Sequence, residues 1–315
     1  MRKKTGVLLL NLGGPDSLGS VKPFLYNLFS DREIIRLGPR PLQRPLAFLI
    51  SALRAPKSRR AYAMIGGKSP LAEITAAQAG ALEKALGMPV YFAMRYWRPS
   101  IEDTVKSLYE DGIERVIALS LYPHYSVATT GSSLRKFREA VRPYPIETVE
   151  IGSWHDHPLY IDALLDVIKR GVASFEGGGS PHLLFSAHSL PKKFIEAGDP
   201  YVGEIMGTIG KVIERQAMRW HLGYQSRSGP VRWLGPPTEE VLRRLARKGV
   251  RNVLVVPISF VSDHIETLYE IDILYKGIAE ALGIELRRTE SLNTNPLFID
   301  ALKALVIEKD KGAGR

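Results

Sequence analysis

"VLVVPISFVSDHIETLYEID", residues 253–272, joins two different patterns without a break. Its first eight residues form an apolar, β-branched run broken only by Pro257 and Ser259, the pattern of a strand buried on both faces. The next stretch, "SDHIETLYEID" from 262 to 272, takes helical spacing and holds five Asp, Glu or His among eleven residues. A buried strand running into a helix is the building unit of a parallel sheet. The same alternation recurs outward in both directions. Strands are expected near 5–11, 89–94, 114–120, 146–151, 182–187, 221–225, 251–257 and 284–288. Amphipathic stretches such as "SPLAEITAAQAGALEKAL", "SIEDTVKSLYEDG" and "PTEEVLRRLARKG" lie between them, the last ending in a C-cap glycine. Eight strands in 315 residues imply an α/β fold of two sheets of about four strands, one per half, each flanked by helices. The junction is expected at about 122–130, which divides the chain into domains 1–125 and 126–296.

Composition narrows the function classes. There is no cysteine, which excludes disulfides, thiolate metal sites and cysteine-ligated iron–sulfur clusters and fits a reducing, cytoplasmic setting. Any metal must be met by His, Asp, Glu or other oxygen and nitrogen donors. The formal charge of +10 suits an anionic ligand or an anionic membrane surface. No nucleic-acid-binding signature is present, and none is expected as a partner. The N-terminal "MRKKTGVLLLNLGGPDS" is basic and then apolar, but its apolar run is too short for a signal peptide and reads as the first strand.

One segment departs from the alternation. Residues 32–60 place Ile34, Ile35, Leu46, Phe48, Leu49 and Ile50 among seven Arg, one Lys and four prolines. An ordinary helical hairpin on the core fits this pattern. So does a lip beside a pocket, its apolar side toward a greasy ligand or membrane interface and its cations toward carboxylates or lipid head groups.

Three strand ends carry chemistry-bearing residues, and ligands of open parallel sheets bind beyond such ends. "PHLLFSAHSLP" delivers His188, "NVLVVPISFVSDHIE" delivers Phe260, His264 and Glu266, and "YFAMRYWRPS" delivers Arg95, Tyr96 and Trp97. Asp263 and Glu266 have the spacing of an N-cap and its reciprocal partner. With Glu270 they also form an acidic row at i, i+3 and i+7, while Ile265, Leu268, Ile271 and Tyr275 form an apolar stripe on another face. Two histidines and a carboxylate meeting at one crevice suit a divalent metal and proton transfer near neutral pH. "NLGGPDS" is no nucleotide loop, and "SAHSLP" lacks the surroundings of a nucleophile elbow.

Taken together these motifs resemble the ferrochelatase family. The resemblance runs through "LLLNLGGPDSLGSVKPFLYNLFSDREII", "IGGKSPL", "MRYWRPS", "YPHYSVATTGSS", "LFSAHSLP", "GDPY", "WLGPPTEEVL", "VPISFVSDHIETLYEID" and "RRTESLNTNPLFIDAL", in order and over nearly the whole length. It implies two Rossmann-like domains around a cleft, with the C-terminal helix 297–310 completing the first. It implies insertion of ferrous iron into a distorted porphyrin, and "SDHIETLYE" is closer to members that use protoporphyrin IX than to those that use coproporphyrin III. By position, His188 is implied as proton acceptor or metal ligand, with Glu266 facing it; His188, Glu266 and His264 are the implied catalytic groups, and His188, Glu266, Asp263 and Glu270 the implied metal ligands. Leu12, Arg95, Tyr96, Tyr122 and Phe260 match pocket walls, and Arg54, Tyr62 and Ser69 match groups near the propionates. No cofactor beyond the substrate iron is implied. The acidic row departs from the family pattern at Leu274, and the cysteine-bearing extension of animal members is missing, so no iron–sulfur cluster is expected. A peripheral contact with the inner face of the membrane through 32–60 is a further expectation. Rival readings are a coproporphyrin III enzyme, a cobalt or nickel chelatase of the same architecture, and a non-enzymatic porphyrin carrier, which would not need His188 and Glu266 together.

Overall fold

The computed structural model describes residues 3–176, 180–227, 229 and 231–312. Eight strands alternate with helices: β1 (Thr5–Asn11), β2 (Val90–Met94), β3 (Arg115–Ser120), β4 (Glu147–Ile151), β5 (His182–His188), β6 (Trp220–Gln225), β7 (Asn252–Pro257) and β8 (Glu285–Arg288). They form two four-stranded parallel sheets, ordered β2-β1-β3-β4 and β6-β5-β7-β8. The two orders are the same pattern written twice, although no sequence repeat announces it. In each, the strand order reverses beside the first strand, and that switch point is where open parallel sheets open a crevice at their carboxyl ends.

The chain divides into two compact units: Met1–Trp154 with Ile299–Arg315, and His155–Phe298. The boundary therefore falls after residue 154 and not at 125/126 as the sequence pattern suggested. The reason is packing. β4 pairs with β3, and Leu134, Phe137 and Val141 of the helix Ser132–Val141 bury against Leu8, Leu10, Val116 and Ala118 of the first sheet. Ile101, Val105 and Leu108 of the helix Ile101–Glu110 complete that core, and Ser100 caps the helix by accepting from the Asp103 N–H. β1 is the axis of the first unit: Val7 to Leu10 are fully buried, each worth about 1.5–3 kcal/mol of hydrophobic stabilisation. In the second unit Leu184, Val253 and Val255 meet Val241, Leu242 and Leu245 of the helix Thr238–Arg247, together with Ile271, Tyr275 and Ala279.

The "GGP" turn after β1 is explained by close approach rather than by phosphate binding. Gly13 has φ +88°, and a Cβ there would press on Met94 and Trp97; a Cβ on Gly14 would run into the Ser69 side chain.

In the segment after the helix Val21–Ser30, several backbone groups are gathered on one side chain. Buried Gln43 donates through Nε2 to the carbonyls of Phe29 and Ile35 and accepts at Oε1 from Arg32 and the Leu37 N–H. From it runs the long helix Gln43–Met64, which buries small residues, Ala47, Ser51 and Ala55, and leaves Phe48, Leu49, Leu53 and Met64 exposed. No helix among the described residues is long and apolar enough to cross a membrane.

Candidate functional site

In the second unit the carboxyl ends of β5, β6 and β7 converge on one carboxylate. His188 ends β5, and its Nδ1 lies 2.9 and 3.0 Å from the two oxygens of Glu266. Gln225 ends β6, is registered opposite His188, and donates from Nε2 to Glu266 Oε2 at 2.8 Å. Ser186, on the same face of β5 as His188, donates to Gln225 Oε1 at 2.6 Å and so fixes which way the amide points. The backbone of His188 is pinned as well: its N–H donates to Ser259 Oγ, and the Tyr201 hydroxyl donates to its carbonyl. Tyr201 is the Tyr of "GDPY", at the start of the helix Tyr201–Arg215.

Glu266 opens a segment, Glu266–Tyr275, wound as a π-helix; the Lys276 N–H returns to the carbonyl of Ile271, five residues back. The regular helical spacing assumed for the acidic row is thus replaced by a wider turn. Of the expected apolar stripe, Ile271 and Tyr275 are buried, whereas Ile265 and Leu268 are half-buried. The expected capping pair does not form either. The Glu266 carboxylate reaches His188 and Gln225 instead of turning back to a cap, and the His264 N–H is met by Thr267 Oγ1 at 3.0 Å.

Electrostatics separate the titratable groups. Burial opposes the charged form of His188, but the charge and hydrogen bond of Glu266 outweigh it and raise the imidazole above its usual range. Burial likewise opposes ionisation of Glu266, yet His188 overrides it and holds the carboxyl well below the ordinary value. Glu270, accepting from Ser226 Oγ at 2.8 Å, is pushed up to about 7 by burial and by the charge of Glu266. His264 is buried, and burial lowers its pKa. Its Nδ1 lies 3.0 Å from the Ser262 carbonyl, which can only accept, so Nδ1 carries the proton. Its Nε2 therefore keeps a lone pair, has no hydrogen-bond partner, and stands 4.0 Å from Glu266 Oε2. Phe260 packs against both imidazoles, with ring centroids 6.0 Å from His188 and 4.2 Å from His264.

Asp263 does not join this group, which corrects its assignment as a metal ligand. Arg288 and Ser291 meet Oδ1, and Asn293 meets Oδ2, so both oxygens are committed to holding the loop. Among the described residues no three or more His, Asp or Glu side chains are arranged to hold a metal ion. A metal met here would take donors from a second molecule as well.

In the first unit, Arg95 and Tyr96 follow β2 and share an acceptor that sequence patterning did not single out. Asp31 Oδ2 accepts from Arg95 Nη2 at 2.7 Å, Tyr96 OH at 2.6 Å and Ser132 Oγ at 2.8 Å. Burial disfavours the Asp31 charge, but these partners hold its pKa below the usual value. Tyr122 is buried and Leu12 half-buried. Of the three residues matched to propionate contacts, Tyr62 and Ser69 are buried and only Arg54 is exposed, its guanidinium 5.5 Å from the Phe29 ring centroid. Asp31, Gln225 and Ser226 are polar residues at or just past element ends and Ser186 lies within β5, and only sheet register and loop closure reveal their partners.

Comparison with known proteins agrees with this architecture. At the level of fold the chain is similar to SirB from Bacillus subtilis in a structure with Fe3+, with a TM-score of 0.61 at 12% identity over 99% of this chain and 98% of that one. It is also similar to CbiX, described as the terminal enzyme for biosynthesis of siroheme in denitrifying bacteria, with a TM-score of 0.50 at 13% identity over 96% and 98% of the two chains. In sequence it is 54% identical to the ferrochelatase of Geotalea uraniireducens (strain Rf4) over 97% of this chain and 98% of the relative. It is likewise 54% identical to that of Desulfotalea psychrophila (strain LSv54 / DSM 12343) over 96% of this chain and 97% of the relative. The ferrochelatase family profile matches residues 4–310, and the chain belongs to the ferrochelatase family of metal-chelating lyases, with a porphyrin and iron as substrates.

Proposed function

We propose that this protein inserts ferrous iron into protoporphyrin IX, forming protohaem in the terminal step of haem synthesis. The observation that carries the reading is the His188–Glu266 pair. Glu266 takes the Nδ1–H of His188, which orients the ring, raises its basicity and leaves Nε2 as the atom that accepts a proton. Insertion releases two pyrrole N–H protons as Fe2+ enters. His188 Nε2 takes one proton from the macrocycle, the resulting imidazolium being balanced by the Glu266 charge, and the second leaves on water released from the iron. The carboxylates of Glu266 and Glu270 offer oxygen donors to the iron as its water leaves, with the lone pair of His264 Nε2 beside Glu266 as a further proton acceptor. The ring nitrogens supply the remaining ligands. Binding the macrocycle bent out of plane exposes those nitrogens and favours the transition state over flat substrate.

A porphyrin is a flat apolar disc with two propionates, and it calls for apolar walls and cationic or hydroxyl groups at its edge. Leu12, Tyr96, Tyr122 and Phe260 are assigned to the ring, Arg95 to a polar wall, and Arg54, Tyr62 and Ser69 to the propionates. We assign the exposed apolar side of the helix Gln43–Met64 to an anionic membrane surface, the source of a poorly soluble substrate.

Anaerobic turnover with ferrous iron tests the reading, following loss of porphyrin fluorescence for protoporphyrin IX and coproporphyrin III in parallel, wild type beside His188→Ala. Preference for protoporphyrin IX with turnover lost in the variant is expected. Preference for coproporphyrin III overturns the substrate, and tight porphyrin binding without insertion overturns the enzyme in favour of a carrier.

A further inference from the structure

The "RRTESLNTNP" motif, residues 287–296, has been given no role above, yet its side chains converge on the π-helical segment and the residue that leads into it. Arg288, the last residue of β8, is almost buried, with its side chain 12% exposed. Its Nε and Nη2 donate to the two oxygens of Asp272 at 2.8 Å each, a bidentate fork. Its Nη1 lies 3.1 Å from Asp263 Oδ1 and 3.2 Å from Ser291 Oγ. Ser291 and Asn293 in turn donate to Asp263 at 2.8 Å each, and the Asp263 N–H donates to Asn293 Oδ1 at 2.9 Å. The Thr267 hydroxyl is 3.1 Å from Asp263 Oδ1.

One guanidinium therefore grips the segment at two points, Asp263 just before its first turn and Asp272 in its middle, with Glu266 and Glu270 between them. The sheet order β6-β5-β7-β8 sets these contacts on opposite sides of β7. Glu266 reaches toward β5 and β6, whereas Asp263 and Asp272 are held from β8. An i→i+5 turn is intrinsically poor and persists where its surroundings over-determine it. Ile271 and Tyr275 keep the segment on the core, but apolar contact is not directional and does not choose between winding by four residues or by five. A planar fork bonded to a carboxylate is directional.

We infer that Arg288 is a positioning residue of the reaction, which acts through Asp263 and Asp272 to hold the π-helical turn that aims Glu266 at His188. The inference rests on the assignment of His188 and Glu266 to the chemistry. Its reason is geometric: a carboxylate held 2.9–3.0 Å from an imidazole loses that contact if the turn relaxes by part of a residue. A misplacement of about 1 Å is enough to cost roughly a hundredfold in rate.

Arg288→Lys keeps the charge and removes the fork; Asp272→Asn, at a half-exposed position, is the milder partner variant. Steady-state turnover of protoporphyrin IX is measured with amide hydrogen exchange across the second unit. The expected result is a kcat lowered about tenfold or more in Arg288→Lys with KM within about twofold, a smaller fall in Asp272→Asn, and faster exchange confined to 266–275. Wild-type kcat in both variants overturns the inference. So does a loss of exchange protection throughout the unit in step with kcat, which is a purely structural role. Glu266→Gln is run alongside. Full turnover in that variant removes the underlying assignment, whereas its inactivity beside a normal Arg288→Lys removes only the role of Arg288.

Discussion

Gln225 shows how much one uncharged side chain contributes at this site. Its amide oxygen is taken by Ser186, so its NH2 faces Glu266 and helps keep that carboxyl ionised. A hydrogen bond to a charged group is worth about 1.5–3 kcal/mol, so Gln225→Ala is expected to lower kcat/KM roughly tenfold or more. Gln225→Glu, which sets a second carboxylate against Glu266, is expected to be worse than the truncation. Steady-state kinetics on both variants check this; wild-type kcat/KM in Gln225→Ala would mean that His188 alone holds Glu266 in place. His188, His264 and Glu266 were conspicuous in the sequence because titratable groups at the end of an apolar strand call for an explanation. Gln225 and Ser186 were not, because a Gln at a strand end looks like the start of any turn and a small Ser within a buried strand looks like filler. Their meaning comes from the register that sets β6 beside β5. Asp263 misled for the converse reason. It stands next to His264 and opens the acidic row, but a buried Arg288 twenty-five positions away claims it.

Among the elements, strands were legible and one helix was not. The inner strands β1, β3, β5 and β7 lie in apolar runs bounded by turn residues, since burial on both faces leaves little room for polar substitution. The edge strands β6 and β8, WHLGYQ and ELRR, were legible instead from the alternation around them. The segment Glu266–Tyr275 was expected to wind with ordinary helical periodicity, because winding by five residues leaves no distinct periodic mark over ten residues. Asp31 makes the corresponding point for the first unit, since it ties the end of the helix Val21–Ser30 to the residues after β2 and to the start of the helix Ser132–Val141. Removing one partner of a buried ion pair costs on the order of 3 kcal/mol, so Asp31→Asn is expected to lower the thermal midpoint at neutral pH. The pH dependence has a definite sign. The folded-state pKa of Asp31 lies below its unfolded value, so the stabilisation is present above the unfolded value and is lost as pH falls through the folded one. The difference in midpoint between wild type and Asp31→Asn is therefore expected to be constant above about pH 5 and to shrink below about pH 4. Thermal melts from about pH 3 to about pH 7 measure it. A gap that stays the same down to pH 3 would place the stabilisation in packing and not in the carboxylate charge.

At the scale of the whole molecule, pairing order carries information that composition does not. The two sheets repeat one topology without repeating one sequence, because strand order is fixed by which edges meet and not by which apolar residues fill the strands. For the same reason the domain junction was misplaced: the loop after β3 looks like a linker, but the strand that follows the next helix returns to the first sheet. The positive charge and the apolar character of 32–60 were readable from the start, but which side chains are exposed was not: of the six apolar residues singled out only Phe48 and Leu49 are exposed, and Leu42, Leu53 and Met64 join them. The formal charge is +10, and the helix Gln43–Met64 turns Leu49, Leu53 and Met64, at 54%, 72% and 58% exposure, away from its buried Ala47, Ser51 and Ala55. Leu42 lies one heptad before Leu49, so the exposed stripe continues, and Arg44, Arg54, Lys57, Arg59 and Arg60 belong to the same helix. Such an element is suited to lie in a lipid interface, with leucines among acyl chains and cations on head groups. Co-sedimentation with vesicles containing phosphatidylglycerol is expected at low salt, with weaker binding to neutral vesicles. Each buried leucine contributes about 1.5–3 kcal/mol, so Leu49→Ser with Leu53→Ser is expected to weaken binding roughly a hundredfold or more. Because the helix is anchored through its small inner residues, the same double variant is expected to keep its thermal midpoint. Wild type left in the supernatant with anionic vesicles at low salt would show that this stripe faces something other than lipid.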